Sequence, residues 1–467
     1  MPEKELLTGD FETDTAYLEK TLRVSESFDL SKRFLRAKSG QKCALFYITG
    51  FANTQTVQDF MRYCLTADDL QLGAETIPYV EASQSADIET VIKKIMSGMT
   101  CLLIEGQKEA FLMDMRRIPT RAVKEPENDK VLRGARDGFG ETLQPNAAMI
   151  RRRIRDPRLT FTILNVGSET KSDVCLCYMD GVADAKFVES LKKQISTLKL
   201  KSLNFQCETL CEALIKKRWY NPFPKVRYTE RPDAAAASIL EGSVIVMCDN
   251  SPSAMILPVS IFDFFQETDD FCFQPITGSY LRIIRFFVYL CSIYLTPVWY
   301  YLISRKEMLP PALKFLELSA EAGIPVFWQL LIIEFAIDGM RLASLNTPDA
   351  LGSSLSIVGG LILGDFAVNS GWFSPDVILY TAFVTIANFT QTSYELGYAV
   401  KFVRMLMLVL VHLLGGYGIA LGTLIMLALI VSNKSIDGSR SYLYPLIPFN
   451  AKAMKSLMIR SRYKGER

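Results

Sequence analysis

The chain reads as an α/β soluble head of two similar subdomains joined to an all-α polytopic membrane domain of five to six helices. Three observations predict this. Charged residues are dense over 1–280, yet none occurs in the 29 positions from Met405 to Asn433. Phe286–Ser304 and Val377–Tyr394 are equally bare. The polar half also repeats itself, LFYITG at Leu45–Gly50 recurring 131 residues later as LCYMDG at Leu176–Gly181. A bilayer core takes about 20 apolar helical residues to cross, and only helices or closed barrels satisfy their backbone inside it, so the bare runs are expected in lipid. The expected division is an N-terminal polar segment over 1–39, subdomains over 40–135 and 136–272, a transmembrane domain over 273–433 and a basic tail over 434–467.

In the head, each repeat is a strand closed by a glycine and followed by a helical pattern. Val57, Phe60 and Met61 share a face in the first copy, and Phe187, Val188 and Leu191 in the second. Short helices ending at Gly98 and Gly242 then lead into TCLLIEGQKEAFLMDM and SVIVMCDNSPSAMILP, now 144 residues apart. Both read as strand, turn, strand, the turns opening at Glu105–Gly106 and Asp249–Asn250. The growing offset implies about 13 extra residues in the second copy, expected within Trp219–Pro232. Pro119–Asn146 links the copies. Arg151, Arg152, Arg153 and Arg155 follow it, and such a cluster is expected as a solvated face or as a contact for anionic headgroups.

Composition narrows the chemistry. A net charge of +2 gives no whole-chain attraction to nucleic acid. The opening MPEKELLTGDFETDTAYLEK has no apolar core, so no cleavable signal peptide is expected and the head should be cytoplasmic. Cys43, Cys101, Cys175, Cys177 and Cys248, among ten cysteines, lie in apolar strand-like runs where a thiol packs as a small hydrophobe. With no CxxC and a single histidine, His412 in an apolar run, no metal site and no histidine base in the head are expected. No P-loop, GxSxG, HExxH or Rossmann glycine pattern stands at a strand–helix junction, so no enzymatic activity, catalytic residue or cofactor is expected.

Five apolar segments run over roughly 283–304, 322–340, 353–371, 375–396 and 402–432. As one helix the last would be about 45 Å long against a core of ~30 Å. Gly415, Gly416 and Gly418 divide it into a hairpin, giving six crossings. Arg282 and Arg285, Lys401 and Arg404, and a tail with Lys434, Arg440, Lys452, Lys455, Arg460, Arg462 and Lys464 then all flank spans on the cytoplasmic side. Arg305 and Lys306 run against that rule.

Polar groups inside the apolar segments are the candidate functional residues. Glu334, Asp338 and Arg341 recur at helical spacing, with Leu331, Ile332 and Phe335 opposite, as on a helix lining water or lying at the membrane surface. Ser356, Gly360 and Gly364 make a small-xxx-small stripe suited to close helix packing, and Asp365 and Asn369 share a neighbouring face. A carboxylate at that depth costs several kcal/mol unless it meets water, an ion or a partner, so Asp365 is the foremost pore or ion-contacting candidate, unless it lies at a span end among headgroups. Asn388, Gln391 and Glu395 repeat the pattern and serve equally well as interhelical hydrogen bonders.

The stretches YMDGVAD, NPFPKVRYTERPDAAAASILEGSVIVMCDNSP, FFQETDDF and SLSIVGGLILGDFAVNSGWFSPDVILY resemble the A-subunit pattern of the GerA family of spore germination proteins, from about residue 40 to 455. LNTPDALGSSL, SYELGYAVKFVR and YPLIPFNAKAM are similar to one branch of it, the paralogue encoded with dipicolinate-handling membrane proteins. The chain departs from the pattern at Asp249–Asn250, where the family usually has Asp-Gly. The resemblance implies a multi-pass protein of the inner spore membrane, with head and tail cytoplasmic. It further implies a homo-oligomer, expected as a pentamer, that forms a cation channel and amplifies the germination signal beside other spore membrane germination proteins. A non-conducting scaffold recruiting those proteins is the competing expectation.

Overall fold

The computed structural model describes residues 6–66, 81–117, 134–215, 220–267, 269–305, 309–320, 322–347, 359–391, 393–433, 436 and 442–459. They fall into two compact units, one within Met1–Lys217 and Val226–Val259, the other within Arg218–Lys225 and Ser260–Arg467.

The first unit is an α/β fold made twice. Helix α1 (Phe11–Leu22) precedes strands β1 (Leu30–Arg36) and β2 (Lys42–Ile48), helix α2 (Thr54–Thr66), β3 (Ala82–Ser85), α3 (Ile88–Met96), β4 (Thr100–Ile104) and β5 (Ala110–Met113). The second copy runs α4 (Leu143–Arg153), β6 (Leu159–Val166), β7 (Ser172–Met179), α5 (Ala185–Ser196), α6 (Gln206–Leu214), β8 (Arg227–Thr229), α7 (Pro232–Leu240), β9 (Val244–Cys248) and β10 (Ala254–Leu257). Each sheet has five antiparallel strands, in the orders β1-β2-β4-β5-β3 and β6-β7-β9-β10-β8, which are the same order.

The central strands are apolar throughout because both of their faces are covered. Alternate side chains point to opposite faces of a sheet. Thus Ala44, Phe46, Ile48, Cys101 and Leu103 pack with Phe11, Leu18, Leu22, Val91 and Ile95 of α1 and α3. Cys43, Leu45, Leu102, Ile104 and Met113 pack the other way against Val57, Phe60 and Cys64 of α2. In the second copy Phe161, Cys175, Cys177, Ile245 and Met247 meet Ala147 and Ile150 of α4 and Ala235 and Ile239 of α7.

The sequence segment 1–39 is more than a polar lead-in. It supplies α1 and β1, which have the same places in the first copy as α4 and β6 in the second. Its burial signal is sparse: three apolar side chains of α1 enter the core, and β1 leaves Arg33 and Phe34 exposed. Between α5 and β8 the second copy has α6, whereas the matching stretch of the first copy, 67–80, lies outside the described residues, and Arg218–Lys225 joins the other unit.

The basic cluster expected at the surface is divided. Arg151 is 0% exposed. Its Nε donates to Asp29 Oδ2 at 2.7 Å and its Nη2 to Asp29 Oδ1 at 3.2 Å, while its remaining N–H groups reach the carbonyls of Asp156 (2.9 Å) and Leu159 (2.8 Å). Ser27 completes the clamp, its hydroxyl donating to Asp29 Oδ1 at 2.6 Å and accepting from Phe161 N at 3.0 Å. Arg153 pairs with Asp137, and Arg152 and Arg155 alone stay exposed. A guanidinium offers five donors in a rigid fork, so one arginine can satisfy a carboxylate and two carbonyls while joining the copies.

The second unit is helical. A 3-10 turn at Ile261–Phe265 and a short helix α8 (Asp269–Cys272) lead to α9 (Pro275–Ser304), followed by α10 (Val326–Leu345), α11 (Pro375–Phe389), α12 (Tyr394–Leu414), α13 (Gly416–Ser432) and α14 (Ala451–Met458). Between α10 and α11 stands a π-helical turn, Leu361–Phe366, continued by Ala367–Asn369. Trp299, Phe327, Leu330, Ile333, Phe373, Val377 and Leu408 form the core.

Gly415 divides the long apolar run at a φ of +59°, a backbone angle that suits glycine. By length and composition α9 and α12 can cross a membrane, and α11 and α13 are shorter apolar helices. The six expected crossings thus reduce to two candidates among the described residues. Helix α10 has the length, with 20 residues, but carries Glu334, Asp338 and Arg341.

Candidate functional site

Inside the helical unit, charge is concentrated where α10 meets α12. Glu334 and Asp338 lie one turn apart on α10, and Lys401 and Arg404 three residues apart on α12, so each pair shares a helix face. Lys401 Nζ sits 3.1 Å from Glu334 Oε2 and 2.7 Å from Asp338 Oδ2, and donates to the Glu334 carbonyl at 2.9 Å. Arg404 donates through Nε (3.0 Å) and Nη2 (2.7 Å) to Glu334 Oε1. Its Nη1 reaches the carbonyl of Ser292 on α9 at 2.8 Å, tying in a third helix.

Glu334, Lys401 and Arg404 are buried, whereas the Asp338 side chain remains 32% exposed. Two carboxylates against two cations leave the cluster neutral. Burying one of these charges without its partner would cost several kcal/mol, and the pairing removes that cost only while all four are present. Arg341, next on the same face, lies over the rings of Phe389, Tyr394 and Tyr398 at 5.5, 4.8 and 5.3 Å. The polar face of α10 therefore turns to α12 and to aromatic rings, which corrects the expectation that it lines water or lies at a surface. The cause lies in α12: its matching cations, Lys401 and Arg404, fall inside the helix on the side that meets α10.

Arg282 and Arg285 are likewise within a helix. Buried Asp270 receives Arg282 Nε at 3.1 Å and Arg285 Nη1 at 3.1 Å, and Arg285 Nη2 also pairs with Glu267 at 2.5 Å. These basic residues are consumed by carboxylates of the same unit.

Asp365 and Asn369 stand apart from the four-charge cluster. Both are exposed, Asp365 in the π-helical turn and Asn369 just after it, and among the described residues neither side chain has an ion-pair or hydrogen-bond partner. A π turn inserts one residue into the helical ladder and is frequent at functional sites. Around Asp365 the side chains of Leu361, Ile362 and Phe366 are exposed and apolar.

Of the small-residue stripe, Ser356 lies outside the described residues. A Cβ at Gly360 or Gly364 would meet nothing within 4 Å, and the tight contact of this segment is at Gly359, against the flexible end of Met340. Asn388 and Gln391, expected as interhelical hydrogen bonders, leave Asn388 Oδ1 and both Gln391 polar atoms without a partner among the described residues. Single His412 accepts or donates at Nδ1 to the Tyr300 hydroxyl at 2.7 Å and stacks on Phe327 at 4.1 Å. No group of three or more metal-binding side chains occurs among the described residues.

In the first unit the Asp249–Asn250 turn has a structural explanation. Asn250 holds a φ of +61°, a left-handed conformation that Asn tolerates almost as well as Gly. Asp249 Oδ1 accepts from Leu143 N at 3.1 Å and so caps the start of α4.

Comparison with known proteins decides the family. The model of the Bacillus/Clostridium GerA spore germination protein family matches residues 16–467. The chain belongs to the GerA family. Among GerA relatives, stage V sporulation protein AF of Bacillus subtilis (strain 168) is 34% identical over 457 residues, covering 96% of this chain and 92% of that protein. Spore germination protein KA of the same organism is 28% identical over 430 residues, covering 89% and 78%. The crystal structure of the N-terminal domain of the A subunit of the Bacillus megaterium spore germinant receptor GerK3 aligns with 54% of this chain and 96% of its own, at 24% identity and a TM-score of 0.42.

The pairing of Lys401 and Arg404 with Glu334 and Asp338 is not among the expectations drawn from the sequence of this GerA chain. A signal existed. Opposite charges at matched helical spacing stand within two otherwise apolar helices, and each pair on its own would be too costly to bury.

Proposed function

We propose that this GerA protein is an integral membrane subunit of the inner spore membrane and acts in germination as an oligomeric cation channel that amplifies the signal. Asp365 carries the reading. It is a carboxylate without a partner among the described residues, in a π-helical turn and surrounded by exposed apolar side chains that in an isolated chain would face water unfavourably. Lipid or neighbouring subunits would cover Leu361, Ile362 and Phe366, as they would Leu413, Tyr417 and Leu424 of the hairpin. A carboxylate at that position then needs water or a cation, and a pore lined by Asp365 and Asn369 from several subunits supplies both. Glu334 and Asp338 serve in this reading as a neutralised pair held by Lys401 and Arg404, which keeps α9, α10 and α12 in register.

The open faces of Gly360 and Gly364 suit close packing between copies, for which a pentamer is the proposed assembly. The scaffold alternative takes the arginines at 151–155 and the duplicated head as docking surfaces, and the burial of Arg151 weakens the first of these supports. Full-length protein reconstituted in vesicles should release trapped monovalent cations, and Asp365→Asn should reduce that flux at equal incorporation. No flux from wild-type protein over empty vesicles, under conditions where it assembles, would reject the channel.

A further inference from the structure

Within the helical unit, residues 442–459 form a segment tied down by its own backbone. Leu446 N and Ile447 N donate to the Leu443 carbonyl at 2.7 and 3.1 Å, and Asn450 N donates to the Pro445 carbonyl at 2.9 Å. Asn450 then caps α14, its Oδ1 accepting from Ala453 N at 3.1 Å, while its Nδ2 donates to the Tyr444 hydroxyl at 3.3 Å. Both ends are fixed in the same unit. The carbonyl of buried Tyr442 accepts from Ile261 N at 2.9 Å, and that of Leu457 accepts from Arg282 Nη1 of α9 at 3.3 Å.

A segment held in this way is expected to turn its apolar side chains inward. Instead Leu446, Ile447, Phe449 and Ile459 are exposed, Phe449 at 70%. Lys452 and Lys455 are exposed among them, and the sequence adds Arg460, Arg462 and Lys464 with no acidic residue from 442 to 465. Exposed apolar side chains beside an unbalanced positive charge suit neither plain water nor a dry protein contact. They suit the boundary of an anionic bilayer, where apolar groups enter the acyl region and cations meet headgroups.

The contact with α9 points to the same level. Arg282 precedes by four residues Phe286, where the charge-free run of α9 opens, so it lies about 6 Å along the helix axis from the start of that run. Ile276, Tyr280 and Ile283, which share a face of α9 by their spacing, are exposed near that level as well.

We propose that residues 442–459 are an interfacial foot that lies on an anionic bilayer surface, with Leu446, Ile447 and Phe449 entering the acyl boundary and Lys452 and Lys455 meeting acidic phospholipid headgroups. The inference rests on the membrane part of the proposed function and not on conduction. An isologous contact with a second copy would also cover the apolar side chains, but it would set the same cations against each other.

The test uses full-length protein in vesicles of phosphatidylcholine with or without phosphatidylglycerol. Photoreactive benzoylphenylalanine replaces Phe449 in one variant and Phe287, in the charge-free run of α9, in another; both side chains are exposed, so the exchange disturbs no packing. With phosphatidylglycerol present, the probe at 449 should join a phospholipid, read as an added mass on its peptide. Lys452→Gln and Lys455→Gln should each lower that yield about two- to fivefold. A cross-link from 449 to protein overturns the foot, and so does a yield indifferent to lipid charge and to both lysines. Lipid joined at 287 but not at 449 overturns the foot and leaves α9 in the bilayer, whereas no lipid at either position removes the foot and the membrane reading together.

Discussion

Arg151 shows how little a cluster of like charges reveals about the individual side chain. Four arginines in five positions suggest a solvated patch, yet the first is fully buried and joins two copies of a fold through Asp29. Removing one partner of a buried pair leaves an uncompensated charge, at a cost of about 3–5 kcal/mol. Arg151→Met should therefore lower the urea midpoint of the first unit strongly, and adding Asp29→Asn should recover part of the loss. Equal stability of wild type and Arg151→Met would show that the pair contributes nothing. Glu334 teaches the same at the helical unit, where two cations three residues apart surround one carboxylate.

Among the elements, the α12–α13 hairpin rests on two glycines for different reasons. Gly415 supplies the positive φ that ends α12. Gly418 allows the two helices to approach, because a Cβ there would lie 2.3 Å from the Leu410 carbonyl oxygen and 2.5 Å from Val411 N. Backbone atoms cannot move aside as a side-chain end can. Gly418→Ala should thus lower the thermal midpoint of the solubilised protein markedly, by about 1–3 kcal/mol of overpacking. Gly360→Ala should leave that midpoint unchanged, since nothing lies within 4 Å of its Cβ position, and any effect should fall on assembly. A melt in which Gly360→Ala is the worse of the two would reverse these assignments. Arg282, Arg285, Lys401 and Arg404, expected to flank spans, each stand inside a helix and are paired there.

For the molecule as a whole, the duplicated α/β fold buries the central strands of its sheets. Burial pushes the Cys43 thiol up to about 11 and the Cys101 thiol up to about 12. Since the thiolate is the reactive form, neither should be alkylated at pH 8 in the native protein, and both should label on unfolding in urea. Mass spectrometry of labelled peptides checks this, and labelling of Cys101 without unfolding would mean that the first sheet opens locally.

The repeated core of the head was legible because it was written twice: a strand closed by glycine, a helix and a late hairpin recur at nearly constant offset, and both copies form the same sheet order, whereas α1 and β1 within 1–39 were not legible. The apolar character of the last third and its break at Gly415 were legible as well, since both depend on local composition and backbone freedom. The partners of charged side chains were not. Asp29 and Arg151 are 122 residues apart, and Glu334 and Arg404 are 70. Whether a charge is solvated or buried against its opposite depends on which elements meet, and that is a property of packing. The same holds for Arg218–Lys225, which composition marks as a Pro-rich connection within the head and packing assigns to the helices. Local sequence determined the elements, and tertiary contacts decided which of their charges remain available for function.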